Sequence, residues 1–165
     1  FMISGSVSIH DLRKILEVEI PEGEYDTLSG YLIEELGRIP GDKEKPIYLY
    51  NVIKRNNINE VVVVESQFNC LTLWSWNIPS VALFGTGTKH QYDILNKSCI
   101  LHYYLAFDGD GAGDRGIKKF LDNIRKDVFV DIILVPRGKD INDLTEEEFN
   151  SLKIISDDEW RSMYE

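Results

Sequence analysis

The chain is expected to fold as an α/β protein, a mostly parallel sheet flanked by helices, and three observations carry that expectation. From residue 47 onward, apolar runs at 61–64, 81–84, 100–107 and 128–135 alternate with helical patterns. The runs are continuous, which means strands buried on both faces by helices. Acids stand where the runs stop: Glu65 after Val61-Val62-Val63-Val64, and Asp108-Gly109-Asp110 after Ile100 to Phe107. In an open parallel sheet, ligands bind outside the carboxyl ends of the strands.

The first segment, to about Pro46, reads as a small α+β piece with a short strand and two helices. Ser8 with Asp11 three residues on resembles an N-cap, and Ile9, Leu12, Ile15 and Leu16 form one apolar face that Pro21 closes. Thr27 to Leu36 repeats helical spacing, with Gly37 as a C-cap residue and Pro40 preventing continuation. Gly41-Asp42-Lys43-Glu44-Lys45-Pro46 is polar with breakers at both ends, the best junction in the sequence.

A helix from Leu49 to about Asn56 then leads to strand Val61–Val64, and one from Gln67 to Trp76 leads to strand Val81–Phe84. The loop Gly85-Thr86-Gly87-Thr88 precedes a short helix to Asn96, followed by strand Ile100–Phe107, a helix over about Asp114–Asp127 and strand Val128–Val135. Ile117, Phe120, Leu121 and Ile124 make the stripe of a helix laid on a sheet. A capping box at Thr145-Glu146-Glu147-Glu148 opens the end of the chain, with residues 154–165 as a tail. Residues 1–46, 47–153 and 154–165 are thus the expected segments.

At 165 residues, 43% hydrophobic and 11% aromatic, the chain can bury one complete domain and something smaller. A net charge of −10 argues against gripping a nucleic-acid backbone unaided. Cys70 and Cys99 follow no metal-ligand spacing and are expected reduced in the core of a cytoplasmic protein. No apolar run reaches the roughly 20 residues that span a bilayer, no signal peptide pattern opens the chain, and Phe1 points to a trimmed start.

Glu65, Asp108, Asp110 and Asp140, the last in Pro136-Arg137-Gly138-Lys139-Asp140, follow three separate strands. Close carboxylates resist ionising together unless a cation compensates, so convergence implies a metal site or strongly perturbed proton affinities. Hard cations such as Mg2+ favour these oxygen ligands and arrive with phosphate. Three rival motifs use the same residues. Gly111-Ala112-Gly113-Asp114-Arg115-Gly116 fits the dinucleotide fingerprint, yet its neighbouring acids would repel pyrophosphate. The calcium-loop pattern fails at Ala112 and Lys119. An aspartyl-phosphate phosphatase would carry its Asp-x-Asp on the first strand. Gly85 and Thr86 could approach a phosphate through backbone and hydroxyl, and Arg137 and Lys139 could neutralise a triphosphate. His10, His90 and His102 are isolated in sequence. Trp74 and Trp76 are read as packing a helix, although an exposed ring could stack a base.

These residues resemble a known family. Val61-Val62-Val63-Val64-Glu65, Ala82-Leu83-Phe84-Gly85-Thr86, Phe107-Asp108-Gly109-Asp110-Gly111-Ala112-Gly113 and Pro136-Arg137-Gly138-Lys139-Asp140 are similar, in order, to the signatures of the TOPRIM domain of bacterial and phage DNA primases, over about residues 47–153. The resemblance implies a TOPRIM-like sheet and a nucleotidyltransferase that uses Mg2+, with Mn2+ as a substitute, to make RNA primers on single-stranded DNA from ribonucleoside triphosphates. Glu65, Asp108 and Asp110 would be catalytic, with Asp140 a further metal ligand and Gly85, Thr86, Arg137 and Lys139 at the nucleotide. The chain has Ser66 and Asn69 where the family has Gly and Asp, and Asn142 where a second acid often stands. Further primase domains or a helicase would be partners of such a catalytic fragment. A nuclease or topoisomerase-type cleaver shares the acids and is the alternative enzyme.

The first segment resembles something else. Gly5 to Leu12, Tyr25 to Gly30 and Leu36 to Pro40 look like the transporter-associated domain of CBS-domain haemolysin and magnesium/cobalt-efflux proteins, over about residues 2–42. This implies a fusion or chimeric chain with a break near residues 41–46, and oligomerisation through the first segment. It also leaves a non-enzymatic alternative, a regulatory piece of an ion-efflux protein.

Overall fold

The structure, a computed structural model, describes residues 8–11, 26–27 and 46–164. The chain divides into two compact units, Phe1–Lys43 and Glu44–Glu165. In the first, Ser8 pairs with Thr27 in an antiparallel bridge, and Ile9 N donates to Asp26 O at 2.9 Å. Ser8 caps as expected: its Oγ accepts from Asp11 N at 3.1 Å and donates to Asp11 Oδ2 at 2.7 Å. The rest of that helix, the helix expected to Leu36 and the junction up to Lys45 lie outside the described residues.

The second unit runs α1 (Tyr50–Arg55), β1 (Glu60–Val64), α2 (Gln67–Ser75), β2 (Ser80–Ala82), α3 (Lys89–Leu95), β3 (His102–Leu105), α4 (Gly111–Asn123), β4 (Phe129–Ile133), a 3-10 turn (Ile141–Asp143), α5 (Glu146–Asn150), β5 (Ile154–Ser156) and α6 (Asp157–Tyr164). The strands form one sheet in the order β2-β1-β3-β4-β5. The first four pair in parallel, and β5 joins β4 antiparallel through Ile132 opposite Ile155. The expected α/β sheet is therefore present, mixed rather than purely parallel. The residues set aside as a tail supply its fifth strand.

Alternation along β1 explains the two-sided burial. Val61 and Val63 pack with Ile53, Leu95, Phe120 and Trp160 on one face, whereas Val62 and Val64 pack with Leu73, Ile141 and Phe149 on the other. Helices thus cover both faces of a sheet whose central valines are almost wholly buried. Paired strands are shorter than the apolar runs, because those runs continue into buried connections such as Ala106 and Phe107. Helix α4 starts at Gly111, three residues before the expected Asp114, because the Asp110 carboxylate caps it, and Ile124 turns extended to end it. Thr145 forms the expected capping box with Glu148. Cys70 is buried, but Cys99 is exposed, contrary to expectation, since it sits in the turn between α3 and β3.

The chain leaves β1 to build β2 on one side and later returns to build β3 on the other. This reversal of direction opens a crevice between the carboxyl ends of β1 and β3. Glu65 and Asp108 follow those two strands.

Candidate metal centre at the sheet edge

The connections after β1, β2, β3 and β4 meet at this crevice. Glu65 ends β1 and is followed by Ser66, whose Oγ accepts from Phe68 N and Asn69 N, both at 3.2 Å, and so starts α2. Gly85 N donates to Glu65 O at 2.9 Å, which brings the Gly85-Thr86 turn against the backbone of the glutamate. The loops after β3 and β4 are bonded together: Gly109 N donates to Lys139 O at 3.0 Å and Gly138 N to Gly109 O at 2.8 Å. Gly109 is required there, since a Cβ would lie 2.0 Å from Pro136 O. Gly113 is required too, because a Cβ would lie 2.1 Å from Asp108 O.

The four acids consequently act on one another. Burial pushes the Glu65 carboxyl from the usual 4.5 up to about 7, with Asp108 and Asp110 adding repulsion. Asp108 is also raised, by burial first and then by Asp140 and Asp110. A protonated Glu65 donates to the Asp108 carboxylate, which raises the glutamate and lowers the aspartate. Glu65 Oε1 is buried and has no hydrogen-bond partner.

Asp110 and Asp140 are placed differently. Asp110 Oδ1 accepts from Ala112 N at 2.8 Å and Gly113 N at 2.7 Å. Those amides are the ones a pyrophosphate would need, so the dinucleotide fingerprint is filled by the chain's own carboxylate. Asp140 Oδ1 accepts from Asn142 N at 2.8 Å and Asp143 N at 3.3 Å, capping the 3-10 turn. Among the described residues no three His, Cys, Asp or Glu side chains stand together as a ready metal-binding group. Two of the four acids are turned to helix starts, and Glu65 and Asp108 remain as the facing pair. This pair fits a hard cation: both carboxyls are desolvated, both are raised, and one buried oxygen lacks a partner.

Asn69 is a member of the site that side-chain type alone did not reveal. Wholly buried on α2, it donates from Nδ2 to Asp108 Oδ1 at 3.2 Å. The family resemblance had marked this position, four residues after Glu65, as one where Asn stands in place of Asp. Arg137 is turned elsewhere, pairing with Asp114 at 2.8 Å and reaching Tyr164 OH at 3.3 Å, and Lys139 meets the site through its backbone O, which accepts from Gly109 N. Thr86 O accepts from Tyr92 OH at 2.7 Å. His10 is exposed, and His102 pairs with Asp131 away from the acids. Trp74 and Trp76 pack as read: Trp74 Nε1 donates to Ser80 O at 2.9 Å, and Trp76 lies against Phe149.

Both resemblances are matched by family models: a Toprim-like one over residues 62–145 and a transporter associated domain over residues 1–65. The second match extends well past the 2–42 read from the sequence and meets the first in β1. No curated protein matches the chain. Among solved structures, the chain is similar to a DnaG primase catalytic domain bound to single-stranded DNA, with TM-score 0.59 and 20% identity over 76% of this chain and 45% of that one. A DNA primase domain from Pseudomonas aeruginosa follows with 0.54 and 23% over 74% and 38%. The Aquifex aeolicus primase, with its zinc-binding and RNA polymerase domains, gives 0.52 and 24% over 72% and 36%. At such identities the likeness is one of fold, and the chain spans less than half the length of each. No helix among the described residues is long and apolar enough to cross a membrane. With about half of its length matched by that model and its sheet shared with primase domains, the chain belongs to the Toprim-like family.

Proposed function

We propose that residues 47–153 are the Mg2+-dependent nucleotidyltransferase core of a DNA primase, a catalytic fragment that extends RNA primers on single-stranded DNA. The observation that supports this best is the desolvated Glu65–Asp108 pair, with its unpartnered Glu65 Oε1, at the switch point of the sheet. Glu65 and Asp108 would hold the cation, and Asp110 and Asp140 would add charge to the site from their helix starts. When bound, a divalent cation supplies charge stabilisation for phosphoryl transfer and lowers the proton affinity of an attacking hydroxyl.

Glu65, poised near neutrality, is suited to take the proton of a ribonucleotide 3′-hydroxyl. Asp108 stays in place because Asn69 donates to it. Gly85 and Thr86 border the glutamate and would face the nucleotide. Arg137 and Lys139 would meet triphosphate oxygens, for which Arg137 must leave Asp114. Single-stranded DNA as partner is supported by the primase relative bound to it. Further domains or a helicase would supply the template grip that a chain of charge −10 lacks. We also propose that the first unit is a fused segment that oligomerises, which size measurement of residues 44–165 beside the full chain would test by loss of the larger species.

The first experiment is a melting titration. Mn2+ or Mg2+ is expected to raise the melting temperature, and Asp108→Asn with Asp110→Asn to abolish the rise; an unchanged response in that double variant removes the reading. Labelled ribonucleotides on a primed single-stranded template then separate the enzymes, since extension supports the primase and strand cutting without extension supports the nuclease.

A further inference from the structure

The amide of Asn69 is one link of a longer relay. Its Nδ2 donates to Asp108 Oδ1 at 3.2 Å, its Oδ1 accepts from Asn142 Nδ2 at 2.5 Å, and Asn142 Oδ1 accepts from Thr72 Oγ1 at 2.5 Å. Asn142 is brought there by Asp140, which caps the turn that carries it. The relay therefore joins α2 to the connections after β3 and β4 through neutral groups.

Its polarity decides what that side of Asp108 can accept. Amide oxygens are good ligands for hard cations, but both of these oxygens already accept from donors within the relay. What faces Asp108 is an N–H, which a cation avoids. Ligand supply gives the same answer. Two divalent ions sharing a carboxylate stand about 3.5–4 Å apart, and each needs oxygens of its own. Here Asp110 and Asp140 each commit an oxygen to two backbone amides, which leaves Glu65 and Asp108 as the facing pair.

We propose that the Thr72–Asn142–Asn69 relay makes this a site for a single divalent cation, held on the Glu65 side of Asp108, with Asn69 as the positioning residue. This rests on the reading that the acids bind a divalent cation, and it adds how many and on which side.

The test is Mn2+ binding to the full chain, with stoichiometry from equilibrium titration and ion–ion coupling from electron paramagnetic resonance. The unaltered chain is expected to bind one Mn2+ with an uncoupled six-line spectrum. Asn69→Asp, which replaces the buried donor with a ligand, is expected to admit a second Mn2+ and broaden the spectrum by exchange. Asn142→Asp, at an exposed residue, is expected to do the same and serves if the buried variant does not fold. Two coupled ions in the unaltered chain would overturn the proposal, and so would a stoichiometry of one in both variants. No bound Mn2+ in the unaltered chain would instead overturn the metal reading beneath it, and this proposal with it.

Discussion

Acids at the two ends of the same strands are treated in opposite ways. Toward the amino-terminal ends, Asp131 Oδ2 lies 2.8 Å from His102 Nε2, and His102 stacks on Tyr104 with ring centroids 4.2 Å apart. At the carboxyl ends, Asp108 is acted on by Asp140, Asp110, Glu65 and Asn69, none of them cationic. The first acid finds a hydrogen-bonding partner within the chain, whereas the second is pressed against its own kind. A fold holds such repulsion only where the surrounding backbone dictates it, and that arrangement is expected at a site that takes its counter-charge from outside.

The most damaging way to break the comparison is to separate the loops that force the acids together. Gly109→Ala places a Cβ 2.0 Å from Pro136 O, so the loop after β3 must move away from the loop after β4. The expected result is a loss of about 3 kcal/mol of stability in denaturant unfolding. The rise in melting temperature with Mn2+ should vanish as well, because Asp108 leaves Glu65. A Gly109→Ala chain that keeps full stability and metal response would show that loop contact does not create the acid cluster.

That dependence on contacts between loops explains what could and could not be read from residues alone. The parallel strands were legible because four apolar runs, each too long for one buried face, carry their own burial pattern. Glu65 and Asp108 were legible because strand ends mark where ligands bind. Strand β5 was not, since Ile154 and Ile155 are a two-residue apolar signal and their pairing with Ile133 and Ile132 is fixed only by the sheet already present. Nor was the division among the acids. Whether an aspartate caps a helix or faces another carboxylate depends on backbone amides two and three residues on, and Asp110 and Asp140 have them while Asp108 does not use its own. Arg137 was placed at a phosphate by its loop, but the nearest carboxylate, Asp114 on α4, took it.

A smaller effect sharpens the comparison through pH. The Glu65 carboxyl is raised from the usual 4.5 to about 7, so between those values the folded chain keeps a proton that the unfolded chain has lost. The slope of stability with pH is negative when the native state binds more protons. Stability of the metal-free chain is therefore expected to fall as pH rises from about 4.5, with the fall complete near 7. Metal binding has the opposite sign, since the cation needs the ionised pair. The melting rise at fixed Mn2+ should grow through the same window and level off above it, since affinity should fall roughly tenfold per pH unit as pH drops below about 7 for one displaced proton. Glu65→Gln should flatten both trends, and a Glu65→Gln chain that retains the slope would place the titrating group elsewhere.

The smallest effect belongs to the end of the sheet that is already satisfied. His102 and Asp131 are partly exposed, 21% and 30%, so their pair is screened by water. The imidazole adds its stacking on Tyr104 and a tilted contact with Phe129 at 5.8 Å. His102→Ala is expected to cost about 1 kcal/mol in all. Because Asp131 lies on β4 and not in the carboxyl-end crevice, the melting rise with Mn2+ should match that of the unaltered chain within error. If His102→Ala instead weakened the Mn2+ response as Gly109→Ala does, the two ends of the sheet would be coupled through β3. The self-paired acid would then be part of the electrostatics of the cation site rather than its contrast.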